Sequence, residues 1–83
     1  MRAEVFSDGC PDSVEQLRVL RKVAERFPGL EIVELPADGP EAAEAGIILA
    51  PGLVVDGVVL SIGRVLSAGR IRRFLEQHQP TGS

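Results

Sequence analysis

The sequence predicts an α/β fold with a mixed four-stranded sheet flanked by helices, in the order βαβαββα. Short runs of branched aliphatic residues alternate with segments of helical periodicity. Asp56-Gly57 separates two such runs at the spacing of a tight hairpin, and Pro28-Gly29 and the stretch Pro36 to Pro40 fall between periodic segments rather than inside them.

Glu4-Val5-Phe6 runs into the turn cluster Ser7-Asp8-Gly9 and reads as a first strand. From Pro11 onward, Leu17, Leu20, Ala24 and Phe27 recur at helical spacing, with Val14, Val19 and Val23 widening the stripe. Pro11 suits a first helical turn because its missing N–H has no partner to lose there, and Pro28-Gly29 is the expected stop. Leu30 to Leu35 has the length and composition of a second strand. Pro40 to Ala45 is a short helix with proline at its start and Gly46 as its left-handed cap.

Leu53-Val54-Val55 and Val58 to Ile62 flank Asp56-Gly57 and form antiparallel neighbours. Ser67 caps a final helix in which Ile71, Phe74, Leu75 and His78 share a face. A helical connection between the first two strands makes them a parallel pair with a right-handed crossover. The expected organisation is one domain over residues 1–78 and a tail over 79–83, with no repeat or linker to suggest a second unit.

A chain of 83 residues must be economical, because folding at this size buries only about 60% of the unfolded surface. With 45% hydrophobic and 25% charged residues it falls outside the disordered class. No apolar run approaches the roughly 20 residues of a membrane span, and the N-terminus enters a strand pattern at once. A cytoplasmic location is the expectation. One cysteine and one histidine cannot form a disulfide scaffold or a structural zinc site, so neither metal nor other cofactor is expected. The net charge of −3 and the lack of Trp and Tyr argue against a nucleic-acid surface. Arg70, Arg72 and Arg73 read as a solvated helix face, and His78 as a helix C-terminal residue.

Cys10, in Gly9-Cys10-Pro11-Asp12-Ser13, stands after a strand and at the start of a helix. A helix N-terminus presents unpaired N–H groups and the positive end of the dipole, which favour thiolate, while Asp8 and Asp12 oppose it. The spacing is that of C-x-x-C with Ser13 at the second sulfur's place. Without that sulfur no internal disulfide can close, and redox chemistry must pass through a mixed disulfide with another molecule. Ser13 is open to three readings: a hydroxyl bonding to local backbone, a donor to the thiolate, or a replacement for a native cysteine.

Phe6 to Ser13, taken with Ala50-Pro51-Gly52-Leu53-Val54-Val55-Asp56-Gly57, resembles the thioredoxin superfamily, and more narrowly its very small glutaredoxin-like members with a G-C-P-x-C motif. The resemblance runs from Arg2 to about Leu75 and includes the glycine and basic residue Gly63-Arg64. It implies Cys10 as nucleophile, Ser13 at the resolving position, and Pro51 as a cis-proline beside the sulfur. It also implies Pro11, Ala50 and Gly52 as substrate-facing positions, with Ala50 where relatives carry threonine or serine. Ile62 to Ser67 lacks the G-G-x-D type segment of glutathione-using relatives, so no glutathione or iron–sulfur site is implied.

The function expected is a monothiol oxidoreductase or redox sensor whose partners are protein or small-molecule thiols and disulfides. The rival is a non-catalytic binding module that has lost the chemistry. A dimer joined through Cys10 of two chains is a third option, which leaves the oligomeric state open. Of Ile47-Ile48-Leu49, most are expected in the core and at least one exposed near the site.

Overall fold

A computed structural model describes residues 1–78; the expected tail at 79–83 lies outside the described residues. The elements are β1 (Arg2–Ser7), α1 (Pro11–Ala24), β2 (Glu31–Pro36), α2 (Pro40–Ala45), β3 (Gly52–Val55), β4 (Val58–Ile62) and α3 (Ala68–His78). The sheet order is β2-β1-β3-β4, with β1 parallel to β2 and antiparallel to β3, and β3 antiparallel to β4.

Of the two central strands β3 is buried throughout and β1 from Val5 onward, and their alternation divides the core. Ala3, Val5, Leu53 and Val55 pack with Leu17, Leu20 and Val23 of α1 and Ile71 and Leu75 of α3. Phe6 and Val54 point the other way, against Ala42 of α2 and Ile47. One face thus carries two helices and the opposite face a single short one.

Three expectations shift by local geometry. α1 ends at Ala24 rather than at Pro28-Gly29, and the chain continues in a tight turn in which Arg26 N–H donates to Val23 O at 3.0 Å and Phe27 N–H to Ala24 O at 3.0 Å. Phe27 precedes a proline, whose ring disfavours helical backbone there, yet the turn still delivers its ring to the core. Val14 is 60% exposed, off the buried stripe of Ser13, Gln16, Leu17, Leu20 and Val23. β2 begins at Glu31, set by the parallel register that pairs Arg2 with Glu31 and Ser7 with Pro36.

The hairpin and α2 form where expected. Asp56 and Gly57 sit at φ 48° and 83°, both positive as a type I′ turn requires, and the left-handed Gly46 caps α2 at φ 77°. Arg70 N–H donates to Ser67 Oγ at 3.3 Å at the start of α3. Arg70, Arg72 and Arg73 are exposed along that helix. At its end His78 stacks on Phe74 with ring centroids 3.9 Å apart.

Candidate functional site

β1 delivers the chain to one end of the sheet, where Gly9 at φ 82° turns it into α1. Cys10 is the N-cap residue, with extended backbone, and Pro11 occupies the first helical turn. The Cys10 sulfur takes the capping role that serine or aspartate usually fills, accepting the Ser13 N–H at 3.4 Å. Cys10 is a free thiol of intermediate exposure, Pro11 and Asp12 are exposed, and Ser13 is fully buried beneath them.

Ser13 Oγ lies 3.3 Å from Cys10 Sγ, donates to Asp8 Oδ1 at 3.2 Å and accepts the Asp8 N–H at 3.4 Å. The same Asp8 oxygen accepts the Cys10 N–H at 3.0 Å. A serine has one proton to give, so while it is committed to Asp8 its oxygen is free to accept from the thiol. When the sulfur is anionic, that proton can turn to it instead. Hydrogen bonding from the Cys10 side chain, and next from its backbone N–H, holds the Asp8 carboxyl below its ordinary range; desolvation opposes this and the Ser13 hydroxyl adds to it. The helix terminus and the Asp8 anion act on the sulfur with opposite sign.

The β1–β3 register pairs Phe6 with Gly52 and so brings Pro51 to the same end of the sheet as the cysteine loop. The Ala50–Pro51 peptide bond is cis, Pro51 is buried, and its carbonyl accepts the Gly63 N–H at 2.8 Å. Ala50 is half-buried. Gly52 is buried under Ile47, and a Cβ there would lie 2.5 Å from Ile47 Cγ2. Only a glycine admits that approach.

Ile47 is therefore core, but Ile48 and Leu49 are 83% and 61% exposed, so two of these three apolar residues face solvent where most were expected inside. They line a groove of about 540 Å3 with Ser7, Asp8, Ala37, Asp38 and Ala50. This groove lies at the C-terminal ends of the parallel strands, the common place for ligands in α/β sheets. A larger cleft of about 790 Å3 runs along α3 past Leu60, Leu66 and Phe74 and shares no lining residue with the groove that Asp8 borders.

Gln16 is a residue that sequence reasoning missed. Fully buried, it accepts the Leu66 N–H at 2.7 Å and donates Nε2 to Leu66 O at 3.3 Å, tying α1 to the segment before α3. The available signal was its place on the apolar stripe three residues after Ser13. Among the described residues no group of three His, Cys, Asp or Glu side chains could hold a metal ion. No helix of the described residues is long and apolar enough to cross a membrane.

A mixed sheet of this order, a cysteine capping the helix after β1, and a cis-proline entering β3 together define a thioredoxin-fold protein. Residues 1–76 match the family model described as a thioredoxin domain, and the chain belongs to that family. A solved structure described as that of a malarial protein superposes with a TM-score of 0.69 at 14% identity, over 94% of this chain and 96% of that one, a likeness that concerns the fold alone. No curated protein matches the chain.

Proposed function

We propose that this protein is a monothiol thioredoxin-like protein whose Cys10 forms reversible mixed disulfides with a thiol or disulfide partner in a reducing, cytoplasmic compartment. The observation that carries the reading is a partly accessible sulfur at a helix N-cap, hydrogen-bonded by the Ser13 N–H and within reach of its hydroxyl. In the reaction the Cys10 thiolate attacks one sulfur of a partner disulfide. A new sulfur–sulfur bond forms, the old one breaks, and the leaving sulfur departs with the electron pair as thiolate and takes a proton from water. Cys10 is oxidised and the leaving sulfur reduced.

Release requires attack by an external thiol, because Ser13 supplies no second sulfur. Its role is to hold the thiolate through its N–H and hydroxyl, and Pro51 forms the wall of the site. Pro11 and Ala50 face the partner at its rim, and Gly52 lets β3 leave under Ile47.

Mass spectrometry after exposure to hydroxyethyl disulfide tests this. The folded protein is expected to gain one adduct on Cys10, reversed by dithiothreitol, and Cys10→Ser is expected to gain none. A folded protein that stays unmodified while its unfolded control reacts would instead make the chain a thioredoxin-fold binding module without thiol chemistry.

A further inference from the structure

We infer that the groove bordered by Asp8, the carboxylate that accepts the Cys10 N–H, selects extended polypeptide segments in which the reacting cysteine is flanked by an aliphatic residue and a Lys or Arg. The inference rests on the mixed-disulfide reading above and names the partner's chemistry. Two features of the groove carry it. Its floor toward β3 is the exposed pair Ile48 and Leu49, placed on the loop that leads into Ala50 and Pro51. Leu49 is seated over the Gly63 backbone, where a Cβ would meet Leu49 Cβ at 3.0 Å, and Ile47 is locked over Gly52. Anchored on both sides, the loop holds Ile48 outward, a patch suited to an aliphatic partner side chain.

The second feature is charge. Among the described residues, Asp8 and Asp38 are the only charged ones that line the groove, and Asp12 is exposed in the first turn of α1 next to Cys10. Asp8 is ionised at neutral pH, as an ordinary aspartate is, and its hydrogen bonds lower its carboxyl further. Most cations lie elsewhere. Arg18, Arg21, Lys22 and Arg26 follow along α1 and the turn after it, and Arg70, Arg72 and Arg73 lie on α3. The exception near the site is Arg64, which follows Gly63 at the end of β4. The sheet order puts it on the opposite side of the β3 entry from Asp38, which follows β2. An approaching chain therefore meets net negative potential on the β1–β2 side, which attracts cations and repels anions.

Three cysteine tripeptides test the inference, each presented as its 2-thiopyridyl disulfide: Leu-Cys-Lys, Leu-Cys-Glu and Ser-Cys-Lys. Attack by Cys10 forms the protein–peptide disulfide and releases thiopyridone, whose absorbance gives the rate. Each rate is divided by that of 2-mercaptoethanol with the same peptide, which removes intrinsic reactivity. At low ionic strength the Lys peptide is expected to react about tenfold faster than the Glu peptide, with the ratio falling toward about twofold in 0.5 M salt. Asp38→Asn, a substitution outside the thiol's hydrogen bonds, is expected to narrow the ratio at low salt. The Leu peptide is expected to outpace the Ser peptide. A Lys-to-Glu ratio near one with a reactive Cys10 overturns the charge selection and leaves the mixed-disulfide reading standing. Equal Leu and Ser rates remove Ile48 and Leu49 from the recognition surface. No reaction with any peptide overturns both readings.

Discussion

Oδ1 of Asp8 accepts both the Cys10 N–H and the Ser13 hydroxyl, and both bonds favour the ionised form. With hydrogen bonding from the Cys10 side chain as the largest cause and these two bonds adding to it, the carboxyl titrates below its ordinary value of 3.8 in the folded protein. A group whose folded pKa is depressed contributes stability that is present above its unfolded pKa and lost as pH falls through the folded one. The stability difference between the native chain and Asp8→Asn, measured by urea unfolding, is thus expected to hold constant from about pH 5 to about pH 7 and to shrink toward pH 2. Glu15, held low by its hydrogen bond and charge pairing with Arg18, titrates in the same window, so the difference rather than the raw curve isolates Asp8. At this scale the sequence reveals the residue types around the sulfur. It does not reveal that one aspartate oxygen gathers the backbone of Cys10 and the hydroxyl of Ser13, because that depends on the turn made by Gly9.

Local chemistry governs the elements wherever a backbone conformation demands one residue type. Gly57 at φ 83° has open space where a Cβ would stand, with no neighbour within 4 Å, so Gly57→Ala meets only the backbone cost of a left-handed residue, about 1–2 kcal/mol. Gly29→Ala is the control: the space is equally open and φ lies outside the left-handed region, so stability is expected to change by less than about 1 kcal/mol. Chemical denaturation of the two variants checks the pair. The hairpin and the Gly46 cap were legible for this reason, as each is set by one or two residues. The end of α1 was less so. Its periodicity runs on to Phe27, and a tight turn satisfies the same burial as another helical turn would.

Across the whole molecule, the contact between Gln16 and Leu66 spans 50 positions and holds α1 against the approach to α3. Gln16→Leu keeps the volume but leaves the partly buried Leu66 N–H and C=O without their side-chain partner, at an expected cost of about 1–3 kcal/mol by denaturant unfolding. Val14→Ala, on the exposed side of the same helix, is expected to stay within about 0.5 kcal/mol. The order of elements, the hairpin, the short capped helix and the cysteine at a helix start were determined by the sequence itself, since propensity, periodicity and turn chemistry act over a few residues. Only the tertiary structure decided which apolar residues stay outside. Ile47 is buried because Gly52 admits it, while Ile48 and Leu49 are left exposed in the groove that Asp8 borders. Burial of this kind depends on segments that meet only after the sheet has assembled, and a pattern read along the chain carries no record of that meeting.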